Sequence, residues 1–309
     1  MEHTSFPERF QTEVGKPLEE GVSLGRYSNF RIGGRADFFF DAVTEEELVR
    51  AALFAREYGL RHRIIGGGYN LLFDDRGFRG LILRNAVRGI RLEGPSRIIA
   101  ASGSNLEELM TFCLDQELGG LEFLVGIPGT IGGAVYGNAG AFDQDIGQVL
   151  QEARILTLSG EVVRIERDFF SFSYRNSALK KAGHILLEAV LEGYTLDRGH
   201  IREQQEEYCR KRENRHPPRD VACAGSYFKN PILPSGEKVP AAFLLDQIGA
   251  KDMEVGAAAV YPGHANFIIN QGGATSQQVR ELAERLKSRV RKRFGVNLEE
   301  EVIFLPAEP

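Results

Sequence analysis

The residues of this chain with the clearest potential for chemistry lie in two clusters of glycine. Gly66, Gly67 and Gly68 are consecutive in the segment IIGGGYNLLF, and six glycines fall between Gly126 and Gly140. Glycines at this density let backbone N–H groups approach a ligand closely, and such ligands usually carry phosphate. The sequence therefore points to a ligand held largely by the backbone.

Neither cluster has a standard nucleotide-binding pattern. The first lacks the GK[ST] of a P-loop, and it has no G-x-G-x-x-G at the start of a helix. A tight structural turn and a ligand loop both remain open for it. The second cluster has few side chains that could pack into a core. A backbone that packs against a flat or extended ligand therefore explains this cluster better than a structural role does.

The elements that must position these clusters can be predicted for the first half of the chain. Capping boxes at Thr44–Glu47 and Ser104–Glu107 each predict the start of a helix. Strands are predicted immediately before Gly66 and over Gly80–Arg84. This alternation of strands and helices is typical of an α+β or α/β domain.

The second half begins with a different pattern. A hairpin is predicted around Ser159–Gly160, followed by a strand in HILLEAVLEGY. A charged helix is predicted over 199–214 and ends before Pro217. A long helix opens at Thr275 and Gln278, and the segment EEVIFLP predicts a final strand.

Composition excludes several classes of protein. The chain has 309 residues, of which 42% are hydrophobic and 26% charged, with 35 Gly, 3 Cys and no Trp. The net charge is 38 − 43 = −5, which disfavours non-specific binding of nucleic acid. The apolar runs are too short to span a bilayer, and no secretory leader is recognisable. We expect a cytoplasmic protein with reduced thiols and without a metal site.

Seven motifs occur in an order and spacing that resemble the UDP-N-acetylenolpyruvoylglucosamine reductase family, the flavin enzymes that complete UDP-N-acetylmuramate for bacterial peptidoglycan. The resemblance runs from near Tyr27 almost to the C-terminus. The motifs are FRIGG (30–34), GGGYNLL (66–72), GIPGTIGGAVYGNAGAF (126–142), SYRNS (173–177), AGSYFKNP (224–231), HANFIIN (264–270) and LEEEV (298–302).

The resemblance implies an α+β protein with an FAD-binding fold of the vanillyl-alcohol-oxidase (PCMH) type and a C-terminal α/β substrate-binding domain. The expected boundaries are an N-terminal arm over 1–32, an FAD-binding domain over 33–198 with subdomains of about 33–84 and 85–198, and a substrate-binding domain over 199–309. The short stretch between Arg175 and residue 199 resembles the second structural type of the family, which lacks an extra substrate-covering loop.

The implied activity is the NADPH-dependent reduction of UDP-N-acetylglucosamine enolpyruvate to UDP-N-acetylmuramate. The flavin N5 delivers a hydride to the enolpyruvyl group, and the protein supplies orientation, electrostatics and a proton. Three residues match the family's catalytic positions. Arg175 would stabilise the enolate together with Glu301, whose pKa burial would raise, and Ser226 would donate the proton. Lys229 is a candidate cation to assist Ser226.

The resemblance also implies binding residues. Arg215 and Lys229 are expected to meet the phosphates of the UDP group, and Asn230 and His264 to contact or orient the substrate. Three places depart from the family: Tyr69 replaces the usual Ser, ASGSN (101–105) replaces a more glycine-rich stretch, and Arg215 stands where Lys is common. The residues expected to bind FAD are Gly66, Gly67, Gly68, Tyr69, Asn70, Pro128, Gly129, Thr130, Gly132 and Gly133.

Simpler interpretations exist for each catalytic candidate. Without the family pattern, Arg175 could be a surface residue, Ser226 a turn residue and Glu301 one of three solvated acids. His264 could serve as a general acid or base, although a structural or substrate-orienting role is favoured. Two alternatives to the reductase are a flavin oxidase of the same superfamily and a non-catalytic flavin- or nucleotide-sugar-binding module. We expect small-molecule substrates, no nucleic-acid or membrane partner, and a monomer.

Overall fold

The computed structural model describes residues 5–233 and 236–308. Over these residues the helices are α1 (Phe6–Val14), α2 (Glu45–Glu57), α3 (Leu106–Asp115), α4 (Ile131–Gly137), α5 (Ile146–Val149), α6 (Leu179–Ala182), α7 (Arg198–Glu213), α8 (Ala241–Gln247) and α9 (Ser276–Phe294). The strands are β1 (Glu19–Glu20), β2 (Ala36–Ala42), β3 (His62–Ile65), β4 (Leu71–Phe73), β5 (Phe78–Asn85), β6 (Ile90–Glu93), β7 (Arg97–Ala101), β8 (Leu118–Gly119), β9 (Gly140–Ala141), β10 (Gln144–Asp145), β11 (Leu150–Leu156), β12 (Val162–Glu166), β13 (Ile185–Glu192), β14 (Tyr194–Thr195), β15 (Glu254–Val255), β16 (Ala258–Val260), β17 (Ile268–Asn270) and β18 (Ile303–Leu305).

By its packing the chain divides into two units, each assembled from three segments. Unit 1 comprises the residues up to Glu20, Phe38–Gly67 and Gly80–Arg212. Unit 2 comprises Gly21–Asp37, Gly68–Arg79 and the residues from Glu213 onward. Both units contain helices and strands. No helix within the described ranges is long and apolar enough to cross a bilayer.

The largest sheet of unit 1 is antiparallel, with the strand order β12-β11-β13-β7-β6. Its central strand β13 is buried along almost its whole length, which explains why its sequence is apolar except at Glu188 and Glu192. β11 and β12 form the hairpin predicted around Ser159–Gly160. The glycine-rich helix α4 packs against β13 and β7. The sequence did not predict α4, because glycine has low helix propensity.

Helix α2 begins as its capping box predicts. The Thr44 hydroxyl accepts a hydrogen bond from the Glu47 N–H at 3.2 Å. The predicted N-terminal arm contains α1, which packs against α2. Phe10 of α1 is fully buried, with its ring centroid 5.0 Å from that of Phe40 and 5.1 Å from that of Phe54.

The capping box predicted for α3 is wrong by one residue. Asn105 is the N-cap, and the Glu108 carboxylate accepts a hydrogen bond from the Asn105 N–H at 3.0 Å. The Ser104 hydroxyl bonds the N–H and the carbonyl of Gly89 instead. A distant partner therefore takes Ser104 away from the helix and leaves Asn105 to cap it.

Unit 2 is built on α9 and the small sheet β15-β16-β17. α9 starts at the predicted capping box, in which Thr275 and Gln278 bond each other's backbone N–H groups. It ends at Gly295, whose φ of +70° is the left-handed conformation that commonly terminates helices. The predicted final strand is present as β18.

The domain boundaries expected at residues 32 and 198 differ from the boundaries of the units. Phe30 and Leu72 are buried in the same core as Leu282 of α9. β4 pairs in parallel with β18, which places Leu72 opposite Phe304. The short segments 21–37 and 68–79 therefore belong to unit 2. Parallel pairing between strands this far apart in sequence leaves no local signal of it.

Candidate active site

Arg175 lies in unit 1 on a tight turn with an unusual backbone. Ser173 and Asn176 exchange backbone hydrogen bonds across the turn at 3.1 and 3.0 Å, and Arg175 has a φ of +55°. A non-glycine residue in this region costs about 1–2 kcal/mol. The Lys180 ammonium donates to the Arg175 carbonyl at 2.6 Å, and Arg175 Nη1 donates to the Gly140 carbonyl at 3.2 Å. The surrounding structure thus holds Arg175 in a strained conformation, as is common at functional sites.

A second arginine, Arg212, lies close enough to Arg175 for their charges to interact. Burial, and to a smaller extent the charge of Arg175, lower the pKa of Arg212 to about 10. Its Nε is buried and has no hydrogen-bond partner in the part of the chain that the structure describes. The sequence did not single out Arg212, because it lies in a run of charged residues near the end of α7.

Aromatic rings complete this part of unit 1. The Arg212 guanidinium lies 5.6 Å from the centroid of the Phe142 ring. Phe142 stacks on Tyr208 with ring centroids 4.0 Å apart and an interplanar angle of 7°. Phe142 and Asp143 both have positive φ, 55° and 61°, at the turn between β9 and β10. Two guanidinium groups beside rigid rings suit an anion with more than one charged oxygen.

Ser226 and Glu301 lie together in unit 2. Neither belongs to a regular strand, but their segments run side by side. The Glu301 N–H donates to the carbonyl of Tyr227, the residue after Ser226, at 2.8 Å. The Asn70 side chain donates to the Glu301 carbonyl at 3.1 Å. Ser226 and Glu301 are both half-buried. A hydroxyl and a carboxyl group are therefore carried on adjacent backbone segments.

The three successive acids of the LEEEV motif have different surroundings. Glu299 is exposed and pairs with Lys229 at 3.0 Å. Glu300 lies 3.5 Å from the Lys287 ammonium. The ion pair with Glu299 fixes the ammonium group of Lys229, the cation expected to assist Ser226.

The two glycine-rich segments come together in unit 1. A Cβ atom at Gly66 would lie 2.5 Å from the Thr130 hydroxyl oxygen, so the loop after β3 is packed directly against the residue before α4. At Gly129 a Cβ atom would meet nothing within 4 Å, and its φ of +145° favours glycine. The backbone at Gly129 is therefore open to a ligand. Pro128 precedes it and has no N–H to offer.

The backbone of α4's first turn is less available than the sequence suggested. The N–H groups of Ile131 and Gly132 donate to the carbonyls of Ser104 and Ser102, at 2.9 and 2.7 Å. The Gly133 N–H donates to the Thr130 hydroxyl at 3.2 Å. These three groups serve the fold, so any backbone contact to a phosphate from this segment falls to other residues.

The rest of the first loop divides between the units. Gly67 closes its segment of unit 1, whereas Gly68, Tyr69 and Asn70 belong to unit 2. A Cβ atom at Gly68 would lie 1.8 Å from the Tyr27 carbonyl oxygen, so only glycine fits there. Tyr69 is 38% exposed.

The other expected substrate-binding residues also lie in unit 2, and their surroundings differ. Arg215 is exposed. The Asn230 side chain accepts a hydrogen bond from the N–H of Ala241, the first residue of α8, at 2.9 Å. Burial lowers the pKa of His264, and its Nδ1 accepts a hydrogen bond from the Asn266 N–H at 3.2 Å. His264 is therefore neutral near pH 7, with its proton on Nε2.

Comparison with known proteins identifies the family. Residues 216–305 match the model of the UDP-N-acetylenolpyruvoylglucosamine reductase C-terminal domain, and residues 36–166 match that of an FAD binding domain. The reductase of Desulforamulus reducens is 37% identical over 99% of both chains. That of Solibacter usitatus is 37% identical over 93% of this chain and 96% of its own. The chain belongs to the UDP-N-acetylenolpyruvoylglucosamine reductase family.

A solved structure supports the same assignment. The UDP-N-acetylenolpyruvylglucosamine reductase of Thermus caldophilus superimposes with a TM-score of 0.79 at 31% identity, covering 94% of this chain and 99% of that one. The predicted α+β class and FAD-binding fold are thereby confirmed, and so is the predicted FAD cofactor. The chain is an FAD-dependent oxidoreductase of this reductase family.

The residues present fit FAD. The close approach of Gly66 to Thr130 and the open backbone at Gly129 provide a surface with few side chains in unit 1, as a flat cofactor with a diphosphate requires. The individual residues expected to contact FAD remain predictions. Within the described ranges, no group of three or more His, Cys, Asp or Glu side chains could hold a metal ion.

Proposed function

We propose that this chain reduces UDP-N-acetylglucosamine enolpyruvate to UDP-N-acetylmuramate with NADPH, a step in the synthesis of peptidoglycan. The family model and the relatives similar to this chain are named UDP-N-acetylenolpyruvoylglucosamine reductase, which supports this substrate. The observation that carries the proposal for the chemical step is the side-by-side placement of the Ser226 and Glu301 segments, joined by the bond from the Glu301 N–H to the Tyr227 carbonyl.

Each catalytic residue has one task in this proposal. FAD, when bound, supplies the hydride that the enolpyruvyl group accepts at its terminal carbon. Arg175 binds the substrate carboxylate through two donors of its guanidinium and stabilises the charge that develops there. Glu301, as a protonated carboxyl, donates a hydrogen bond to the same group. Ser226 donates a proton to the carbon next to the carboxylate, which completes the addition of two hydrogens.

Binding is assigned to cationic and polar side chains. Arg212 would add its charge to that of Arg175, and the unsatisfied buried Nε of Arg212 supports this assignment. Arg215 and Lys229 would bind the UDP phosphates, while Asn230 and His264 would orient the substrate. Since UDP-sugars and NADPH are cytoplasmic metabolites, we place the enzyme in the cytoplasm.

The test separates the two half-reactions under anaerobic conditions. NADPH first reduces the bound FAD, and UDP-N-acetylglucosamine enolpyruvate then reoxidises it; flavin absorbance in a stopped-flow instrument follows both. Ser226→Ala should leave reduction by NADPH near the normal rate and slow reoxidation by at least ~10²-fold, as expected when a positioned acid is lost. Ser226→Cys should recover part of the rate, because a thiol is the stronger acid.

Two results would contradict the proposal. If the substrate fails to reoxidise the reduced wild-type flavin, the chain is not this reductase. If Ser226→Ala slows both half-reactions equally, Ser226 shapes the flavin site and does not donate the proton.

A further inference from the structure

The segment that carries Ser226 obtains much of its support from one buried residue, through both its side chain and its backbone. Asn266 is only 4% exposed. Its Oδ1 accepts a hydrogen bond from the Phe228 N–H at 3.0 Å, and its Nδ2 donates to the Phe228 carbonyl at 2.8 Å. Its own carbonyl accepts a hydrogen bond from the Tyr227 N–H at 2.7 Å. Asn266 therefore holds both residues that follow Ser226.

These bonds replace those that a regular sheet would give. Around Ser226 the pairing consists of isolated bridges, Cys223 with Ile269 on one side and Phe228 with Glu300 on the other. Gly225, immediately before Ser226, has a φ of +75°, and a Cβ atom there would meet nothing within 4 Å. Ser226 is thus preceded by a glycine, which constrains the backbone little, and followed by two residues that hydrogen-bond Asn266. We call these hydrogen bonds the Asn266 clamp.

The clamp also reaches Glu301. Tyr227 lies between its two partners, since its N–H donates to the backbone carbonyl of Asn266 and its own carbonyl accepts from the Glu301 N–H. Asn266 is itself held, because its N–H donates to Nδ1 of His264. The Asn266 backbone thereby holds Tyr227 and its side chain holds Phe228, which together fix the point from which the Ser226 hydroxyl extends, relative to the Glu301 backbone.

We propose that Asn266 is a positioning residue for proton donation by Ser226. The inference rests on the proposed function. Its physical basis is the steep dependence of such reactions on distance, since a displacement of about 1 Å can cost roughly 10²-fold in rate. An asparagine that only satisfied buried backbone groups would stabilise the fold without favouring one half-reaction.

The test uses Asn266→Ala in the full-length, FAD-loaded enzyme. We expect reduction by NADPH within about 2-fold of the wild-type rate and reoxidation by the enolpyruvyl substrate slower by ~10-fold or more. Combination with Ser226→Ala provides the decisive measurement. If Asn266 acts through Ser226, then Asn266→Ala should slow reoxidation by less than about 2-fold in the Ser226→Ala background, because there is no hydroxyl left to position.

Asn270 provides a matched control in the same unit. Its side chain makes three hydrogen bonds to backbone groups, those of Phe30, Gly272 and Ala274, against the two that the Asn266 side chain makes to Phe228, but none to the residues after Ser226. Asn270→Ala should lower the Tm to a similar extent and leave the ratio of the two half-reaction rates unchanged. If Asn266→Ala does not retain FAD, Asn266→Asp serves instead, since it keeps the shape and the acceptor for Phe228 but turns a carboxylate oxygen toward the Phe228 carbonyl.

The outcomes distinguish the two proposals. Independent, multiplicative effects of Asn266→Ala and Ser226→Ala, or equal slowing of both half-reactions by Asn266→Ala, would overturn the positioning role alone. A normal reoxidation rate in Ser226→Ala would overturn both the role of Ser226 and the positioning role that depends on it.

Discussion

At the scale of single residues, Arg212 carries a conflict between stability and binding. Arg212 is half-buried with its charge near that of Arg175, and its buried Nε lacks a partner in the described structure. The lowered pKa means that folding disfavours its charged form at pH 7, although the contact with the Phe142 ring offsets part of this cost. An anionic ligand would remove the conflict.

Arg212→Met should therefore stabilise the ligand-free protein and weaken substrate binding. We expect the free energy of unfolding to rise by about 1 kcal/mol, a shift of about 2–4 °C in Tm, because a half-buried charge is replaced by an apolar side chain of similar length. The dissociation constant for the nucleotide sugar should rise at least ~10-fold. Differential scanning calorimetry and isothermal titration calorimetry measure the two effects.

Lys211→Met is the matched control, since Lys211 immediately precedes Arg212 in α7 and its ammonium also lies near the Phe142 ring, 5.9 Å from the centroid, but it is exposed and paired with Glu207. Its effect on the free energy of unfolding should stay within about 0.5 kcal/mol. A lower Tm in Arg212→Met than in the wild type would show that Arg212 is a structural cation, satisfied without a ligand.

At the scale of elements, the turn that carries Arg175 depends on the residue after α4. Asn138 is buried and has a φ of +46°, and its side chain bonds the Ser173 carbonyl and the Gly147 N–H at 3.1 and 3.0 Å. Asparagine tolerates this left-handed conformation better than alanine does. The end of one helix thus supports the turn that carries Arg175, with Ser173 lying 35 residues further along the chain.

A comparison of Asn138→Gly with Asn138→Ala separates these contributions. Both variants lose the two side-chain hydrogen bonds, and both should bind the substrate more weakly because the Arg175 turn is less fixed. Only Asn138→Ala adds backbone strain, so its free energy of unfolding should be lower than that of Asn138→Gly by about 1 kcal/mol. Urea denaturation measures the difference. Equal stabilities would mean that the turn relaxes and that the positive φ is not enforced.

The elements also show what the sequence could and could not predict. Two signals that span only a few residues are confirmed: the capping box at Thr275 and the hairpin at Ser159–Gly160 are both present. The capping box at Ser104 failed because its hydroxyl bonds Gly89, which no local pattern reveals. Helix α4 was missed because its cap at Thr130 stands among glycines that suggested a loop.

The residues of the candidate site also differ in whether the sequence reveals them. Arg175, Ser226 and Glu301 were found through motifs, and their roles remain predictions. Arg212 was missed in a charged run, although Tyr208 lies four residues before it and therefore on the same face of α7. Only the fold shows that this face meets Phe142 and Arg175.

At the scale of the whole molecule, Asp74 joins the separate segments of unit 2. It is buried, and its carboxylate bonds Arg76 and accepts from the Ala307 N–H, while its backbone bonds Gly34 and Leu305. The hydrogen bond from the Arg76 guanidinium lowers the pKa of Asp74 to about 2. Because folding lowers this pKa, Asp74 contributes stability above the unfolded value of about 3.9 and loses it as the pH falls through about 2.

Asp74→Asn should lower the free energy of unfolding by about 1–2 kcal/mol at pH 7, less than the full shift implies because Arg76 is 70% exposed. The difference from the wild type should be about half as large at pH 3. Urea denaturation at several pH values tests this. Asp246→Asn, which breaks an exposed pair with Lys251, should have an effect of less than about 1 kcal/mol. A difference for Asp74→Asn that stays constant down to pH 3 would rule out the carboxylate as its cause.

The interleaved segments predict that the C-terminal region cannot fold alone. A fragment of residues 199–309 lacks Phe30, Ile32 and Leu72, which are buried in its core, and it lacks β4, the partner of β18. Each such side chain contributes about 1.5–3 kcal/mol when buried, so the loss of three approaches the whole stability of a typical domain, about 5–15 kcal/mol. The fragment should show poor dispersion in its NMR spectrum and no cooperative unfolding in urea. Adding the complementary fragment 1–198 should restore dispersed signals, because it supplies the missing segments. Cooperative unfolding of 199–309 by itself would mean that this region is an independent domain, as the sequence first suggested.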